Sequence, residues 1–416
     1  MTELRNNNIK SQDSFSTDAF GRWRVSEPYS VFDSKQISSE HLSLLWDIAE
    51  VSGSGTSYMY NPDRASTTLS VSDNTQGTII RQTLRKFNYQ PGKSQEIMTT
   101  FVNLHTELNS GISKCVGYFD DYNGIFLTSD NGVNKIVRRS QVNEPSAGIV
   151  DYEVEQDSWN LDKMDGTGKS GITLDLSKSQ IFFIDIEWLG VGRVRCGFVI
   201  DGKIYYTHEF LNANNLDSVY MTSPNLPIRY EISNDGTGGS EEIECICSSI
   251  ISEGGFEPHG ILQSHATKTN LVQAQTGGTF YALIGIGLKT NQLFGSVFLD
   301  HIIMGVDSND LTYWELRLNP FVASTFNYSD KTNSIVQIAT GNTITDPSPN
   351  TVTGGTVMDA GYVTSHSGEI ITARNSLLLG SKIDGTTDKI VLCASPVGTG
   401  PLNLDISGGI VWREVV

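Results

Sequence analysis

Short apolar or alternating runs, separated by clusters of Gly, Asn, Asp and Ser, recur along most of this chain. The clearest run places Phe182, Ile184, Ile186 and Trp188 on one parity and Asp185 and Glu187 on the other. That period of two is the pattern of a half-buried strand. Val194, Cys196, Phe198 and Ile200 continue it up to Asp201-Gly202, a dipeptide suited to a type I′ hairpin turn because both central residues need positive φ. Trp314, Leu316 and Leu318 likewise alternate with Glu315, Arg317 and Asn319, and Phe280 to Leu288, Leu293 to Met304, Lys389 to Cys393 and Ile410 to Val415 read as further strands. Helical spacing occurs only at Leu42, Leu45, Trp46 and Ala49, which predicts one short helix.

This grammar divides the chain into three. Residues 1–45 are polar and irregular until aromatic residues enter near Phe20, and they read as an extended N-terminal arm. Residues 46–250 read as a central antiparallel β-sandwich, lectin-like or jelly-roll. The Gly-rich Ser252-Glu-Gly-Gly255 marks a boundary, and residues 251–416 form a second β-domain. Within it, the polar tract Thr340 to Gly355, with Pro347 and Pro349, predicts a long loop. The fold class is therefore all-β.

Composition agrees. Of 416 residues, 38% are apolar, 18% are charged and 40 are Gly, a balance that favours strands and turns over helices. The formal net charge of −18 would repel a phosphate backbone, which argues against general nucleic-acid binding. Met1 to Ser16 lacks the basic and apolar regions of a secretory signal, and no segment approaches the roughly 20 apolar residues of a membrane span, so membrane insertion is not expected. Cys115, Cys196, Cys245, Cys247 and Cys393 are odd in number and scattered, so they do not read as a disulfide framework. Cys245 and Cys247 would share one strand face, as half-buried thiols of a reducing compartment.

Several motifs suggest chemistry and then fall short of it. Gly92-Lys93-Ser94 and Gly168-Lys169-Ser170 resemble fragments of a phosphate-binding loop, but Phe87 and Lys163 stand where its first Gly is required. Asp121-Tyr-Asn-Gly124 and Asp162-Lys-Met-Asp-Gly166 resemble incomplete calcium loops, and Asx-turns explain them more simply. Neither a cofactor nor a metal ligand set is assigned. The seven histidines are scattered and form no His-x-x-x-His run.

Ile184-Asp-Ile-Glu-Trp-Leu-Gly190 resembles the strand motif Glu-Ile-Asp-Ile-Glu-Phe-Leu-Gly of a large family of β-sandwich glycoside hydrolases. The resemblance implies an assisting role at Asp185 and an acid/base role at Glu187, but Phe183 occupies the nucleophile position. A retaining hydrolase needs two carboxylates about 5 Å apart, so no catalytic residue and no enzymatic activity are expected. Strand parity supplies another role for the acids. A hairpin that pairs Ile186 with Val194 and Ile184 with Cys196 sets Glu187 opposite Arg193 and Asp185 opposite Arg195. Such cross-strand pairs contribute roughly 0.2–1 kcal/mol each.

The stretch Asp18-Ala-Phe-Gly-Arg-Trp-Arg-Val-Ser-Glu-Pro-Tyr-Ser-Val-Phe-Asp33 is similar to the N-terminal signature of a recurrent family of bacteriophage virion proteins. Arg81-Gln-Thr83, Tyr89-Gln-Pro-Gly-Lys-Ser94, Glu187-Trp-Leu-Gly-Val-Gly-Arg-Val-Arg195 and Gly197-Phe-Val-Ile-Asp-Gly202 resemble its central part. Trp314-Glu-Leu-Arg-Leu-Asn-Pro320 and Trp412-Arg-Glu414 resemble its distal half. The resemblance implies a non-enzymatic virion component, made in the host cytoplasm, of the head-decoration, fibre, collar or tail-associated kind. Its expected partners are copies of itself, a trimer being one form, other virion proteins such as capsid, portal or tail components, and surface glycans. Phe20, Arg22, Trp23, Arg24, Val25, Tyr29 and Phe32 are the candidate assembly residues of the arm. They are too apolar for a solvated tail, and Trp23 and Val25 alternate with Arg22 and Arg24 as an added strand would. The alternatives are a carbohydrate-binding receptor-recognition module and, more remotely, a glycoside hydrolase.

Overall fold

The computed structural model describes residues 17–18, 20–22, 27–39, 43–142, 148–268, 271–307, 310–342, 349–364, 367–372, 379–398 and 401–416. Among these, strands dominate, and Gln156–Ser158 forms a 3₁₀ turn. No helix among the described residues is long and apolar enough to cross a membrane. The chain divides into two compact units, Met1–Thr83 with Tyr89–Phe256, and Leu84–Asn88 with Glu257–Val416.

The first unit contains β1 (Tyr29–Ser34), β2 (Trp46–Gly53), β3 (Thr56–Asn61), β4 (Ser66–Val71), β5 (Gly77–Thr83), β6 (Ser94–Val102), β7 (Ile112–Phe119) and β8 (Gly124–Asp130). It continues with β9 (Val133–Ser140), β10 (Val150–Glu155), β11 (Gln180–Ile186), β12 (Val194–Ile200), β13 (Lys203–Phe210), β14 (Ile228–Asn234) and β15 (Glu241–Glu253). One sheet runs β13-β12-β11-β6-β15-β4-β3, with β1 also on β15, and the other runs β10-β9-β8-β7-β14-β5-β2. Alternation places Phe182, Ile184 and Ile186 of β11 with Ile97, Phe101 and Ile250 in the core, opposite Val116, Tyr118, Leu127 and Ile232 of the second sheet. Tyr230 of β14 bridges the layers, its hydroxyl lying 2.9 Å from Ser248 Oγ on β15.

The second unit contains β16 (Ile261–Ala266), β17 (Val272–Thr276), β18 (Phe280–Leu288), β19 (Ser296–Asp307), β20 (Thr312–Leu318), β21 (Phe321–Val322) and β22 (Ser329–Asp330). The remainder are β23 (Val336–Thr340), β24 (Thr351–Thr353), β25 (Thr356–Val363), β26 (Ser367–Thr372), β27 (Lys389–Pro396) and β28 (Pro401–Val415). Its sheets run β16-β28-β19-β26, with β17 on β28, and β21-β24-β18-β27-β20-β25, with β23 on β18. Ile284, Ile286, Ile302, Met304, Trp314, Leu316, Leu392, Ile410 and Trp412 form one apolar core between them. The short excursion Leu84–Asn88 belongs to this unit, where the Leu84 carbonyl accepts the Ser381 N–H at 2.7 Å.

Four expectations need correction. The helix expected around Trp46 is strand β2, because pairing of Trp46 with Thr83 and donation from Trp46 Nε1 to Ser34 Oγ at 2.9 Å outweigh one turn of helical spacing; Leu42 lies outside the described residues. The arm is not extended away from the body throughout: β1 pairs antiparallel with β15 of its own chain, and Phe32 is buried against Trp46. Cys245 and Cys247 do not share a face, since a bulge between Cys245 and Ser248 buries the first and exposes the second. The tract Thr340 to Gly355 is not all loop, because β24 pairs there with β18.

Candidate functional site

The β11–β12 hairpin has the expected register, with Ile186 opposite Val194, Asp185 opposite Arg195 and Ile184 opposite Cys196. Its turn closes through Gly192 N–H to the Trp188 carbonyl at 2.8 Å, and a Cβ on Gly192 would lie 2.3 Å from the Glu187 carbonyl oxygen, so glycine is required there. The next turn uses positive φ at both Asp201 (50°) and Gly202 (74°), the geometry of a type I′ hairpin.

Phe183, Asp185 and Glu187 therefore point away from the sandwich core, and neighbouring strands add to them. Asp185 lies opposite Glu96 on β6 and Arg195 on β12, and Arg195 lies opposite Glu209 on β13. The result is a row of acid, base, acid and acid across four strands. Asp185 and Arg195 are both fully buried and joined in an ion pair. Arg195 Nε donates to Asp185 Oδ2 at 3.1 Å, Ser94 Oγ donates to Asp185 Oδ1 at 2.5 Å, and the guanidinium sits 4.3 Å above the Tyr206 ring. Phe183 is also fully buried, edge-on to Tyr206.

The chain's own N-terminal segment meets this row at Arg195. Arg195 Nη2 donates to the Thr17 carbonyl at 2.8 Å. Asp18, buried, folds the segment on itself by accepting the N–H groups of Phe20 at 3.0 Å and Arg22 at 2.9 Å on Oδ1, and Arg22 Nε at 2.7 Å on Oδ2. Arg22 Nη1 then donates to the Gly92 carbonyl at 2.7 Å. Beside this contact lies Glu187, half-buried, whose carboxyl is pushed up to about 7 chiefly by burial and further by Asp18, against the pull of Arg193 and Arg22. Its backbone N–H donates to the Arg193 carbonyl, while the Arg193 guanidinium reaches Glu209 Oε2 at 3.5 Å. Tyr89, edge-on to Trp188, has its hydroxyl pushed up to about 12 by burial.

Of the arm residues named from sequence, Phe20 stacks under Arg22 with 4.6 Å between guanidinium and ring. Tyr29 stacks on Phe256 at 5.5 Å, and Phe32 enters the core. Trp23, Arg24 and Val25 lie outside the described residues. Thr17, Glu96, Tyr206 and Glu209 were not named from sequence, and Asp18 and Ser94 were quoted there only within longer motifs. For Asp18 a signal existed, an Asp three residues before a Gly, which is turn chemistry.

The other motifs resolve into local structure. Asp162 accepts the N–H groups of Met164 at 2.9 Å and Ser170 at 2.6 Å, and Asp120 accepts those of Tyr122 and Asn123, each at 2.9 Å. Asp121 pairs with Arg229 at 2.6 Å. Lys93 Nζ, of the first Gly-Lys-Ser triplet, donates to Gln90 Oε1 at 2.8 Å and to the Gly255 backbone carbonyl at 2.9 Å. Among the described residues, no group of three or more His, Cys, Asp or Glu is arranged to hold a metal ion.

No family model matches this chain, and no curated protein matches it. Solved structures do resemble it. An endo-1,3-beta-glucanase from Streptomyces sioyaensis aligns with a TM-score of 0.34 at 12% identity, covering 55% of this chain and 97% of that one. A legume lectin-like domain from Entamoeba histolytica aligns at 0.31 and 11%, covering 53% and 97%. The CBM2 module of an evolved Dit from Lactobacillus casei BL23 phage J-1 aligns at 0.35 and 9%, covering 56% and 99%. The protein is all-β, with two antiparallel sheets packed as a sandwich in its first unit, and nothing about its role is drawn from these alignments.

Proposed function

We propose that this chain is a non-enzymatic structural component of a bacteriophage particle that assembles with copies of itself and docks on other virion proteins. The observation that carries the non-enzymatic part is the state of Asp185, fully buried in an ion pair with Arg195, which the chain's own N-terminal segment meets. A retaining hydrolase needs two carboxylates at the scissile bond, and here the nucleophile position of the motif is Phe183, also fully buried, so the acid/base position at Glu187 has no nucleophile beside it in the motif. The virion assignment draws support from the segments, spread from Asp18 to Glu414, that resemble phage structural proteins. Mass spectrometry of purified particles is expected to find the chain at a fixed copy number, and a reducing-sugar assay on β-glucans is expected to stay at background. A chain absent from particles but abundant in the lysate would sink the virion reading; steady sugar release would sink the non-enzymatic one.

A second reading, contact with surface glycans, is favoured by aromatic side chains on one sheet of the second unit. Tyr313 lies 4.9 Å from the half-exposed Tyr362 and 5.9 Å from Phe280, with the Arg317 guanidinium 4.4 Å above Phe280. Such rings offer flat faces to sugar C–H groups. A glycan array that shows binding lost in Tyr362→Ala supports it; no binding on any glycan rejects it.

A further inference from the structure

We propose that Arg81 holds a small monovalent anion such as chloride between the two sheets of the first unit. Arg81 lies on β5, opposite Tyr230 of β14 and Ile48 of β2, and its side chain is only 1% exposed. It reaches across to the other sheet. Nη2 donates at 2.8 Å to Oε1 of Gln36, two residues past β1, and the same oxygen accepts Thr67 Oγ1 of β4 at 3.0 Å. The guanidinium lies 4.5 Å over the Trp46 ring. All of these neighbours are neutral, whereas Arg81 carries a permanent charge.

Arg195 and Lys114 are buried as deeply, but Arg195 is joined to Asp185, and Lys114 Nζ lies 3.0 Å from Glu241. No ion pair joins Arg81 among the described residues, and the titratable groups that face it are Cys245 and Tyr230. Burial pushes the Cys245 thiol up to about 12 and the Tyr230 phenol upward as well, so both stay neutral near pH 7. The Tyr230 hydroxyl is engaged elsewhere, 2.9 Å from Ser248 Oγ and 3.2 Å from the Thr100 carbonyl. Hydrogen bonding is as incomplete as charge. A guanidinium has five N–H donors; Gln36 Oε1 meets one of them with both its lone pairs then taken, and the enclosed Nε has no acceptor among the described residues. An unpaired buried charge costs far more than a paired one, because nothing replaces the solvation it gives up. Water would satisfy an N–H group but leave the charge. A halide does both, since one negative charge balances one guanidinium, and a spherical acceptor asks for no donors beyond the N–H groups it faces. Sulfate would need further donors, and those nearby are committed, Thr67 Oγ1 to Gln36 and Trp46 Nε1 to Ser34 Oγ.

The site belongs to the chain alone and stands apart from whether it enters particles. Crystals of the full-length protein grown in sodium bromide are expected to show an anomalous peak at hydrogen-bond distance from Arg81 Nε. In solution, an anion that binds only the folded chain raises the thermal midpoint with its concentration. At constant ionic strength, exchanging sodium gluconate, too large to be enclosed, for sodium chloride should raise the midpoint by roughly 3–5 °C per tenfold in chloride above its dissociation constant. Arg81→Met, which keeps an unbranched stem and removes the charge, is expected to lose that dependence. The bromide peak and the chloride dependence together establish the site. The absence of either in the wild type, or a dependence that survives in Arg81→Met, overturns it; both wild-type measurements decide the matter even where the variant fails to fold.

Discussion

The two outer faces of the sandwich are covered in opposite ways. On the sheet β13-β12-β11-β6-β15, charged and hydroxyl side chains are buried, with Asp185 and Arg195 at zero exposure and a segment of backbone meeting them at Arg195. On the sheet β10-β9-β8-β7-β14, Phe119 and Phe126 stack at 4.3 Å beside Val137, and long cations rather than backbone lie over them. Arg139 sits 5.1 Å above Phe126, held by two bonds to Asp151, and Arg229 sits 5.3 Å above Phe119, tied to Asp121 and Gln82. Each arginine lays its stem over an aromatic ring while its charge is neutralised at the rim. A face of rings can be closed by side chains alone; a face of charges needs the rest of the chain to complete it.

That contrast can be broken in measurable ways. Arg195→Glu should have the largest effect, because it removes a buried partner and sets a second carboxylate opposite Asp185. A loss of about 3–5 kcal/mol in denaturant unfolding is expected, and an unchanged midpoint would mean that the pair is not buried in solution. The double change Asp185→Leu with Arg195→Met should recover much of this loss, since neither charge is then stranded. On the opposite face, Phe126→Ala should cost about 3 kcal/mol through the cavity it leaves. Arg139→Ala should cost less, about 0.5–1 kcal/mol, and should show partial salt dependence because its pair with Asp151 is partly exposed.

The smallest expected effect is a pH dependence. His208, packed edge-on against Phe210, is held down to about 4 by burial. It folds neutral and takes up a proton on unfolding between its folded value and its ordinary 6.5. Its contribution is fully present above 6.5 and is lost as pH falls through that window to about 4. Glu187 slopes the other way over an overlapping range, so His208→Gln should flatten the acid limb of the unfolding midpoint measured against pH while leaving the change near neutrality in place.

The hairpin register was legible because strand parity is strict: once Ile184, Ile186, Val194 and Cys196 share the core, Asp185 must face Arg195. The fate of the arm was not legible, because an apolar strand with exposed edges pairs as well in its own sheet as in a neighbour's, and only the free edge of β15 decides it. Trp46 misled for a related reason, its helical spacing to Leu42, Leu45 and Ala49 being weaker than the sheet contacts that capture it. The row on the outer face was only half visible: Asp185 and Arg195 are neighbours in one hairpin, whereas Glu96 is brought in by β6 from about ninety residues away. The meeting of the N-terminal segment with this row was hidden altogether, since nothing local in Thr17 or Asp18 names Arg195 as its destination.

The bulge in β15 has a practical consequence. It turns Cys247 out to solvent, whereas Cys196, Cys245 and Cys393 are buried and Cys115 is half-buried. Burial pushes the thiols of Cys115, Cys245 and Cys393 up to about 12 and that of Cys196 upward as well, so they carry little thiolate at neutral pH. One maleimide dye should therefore couple quickly to each folded subunit, and stepwise photobleaching of labelled assemblies would then count subunits directly, with Cys247→Ser as the dark control.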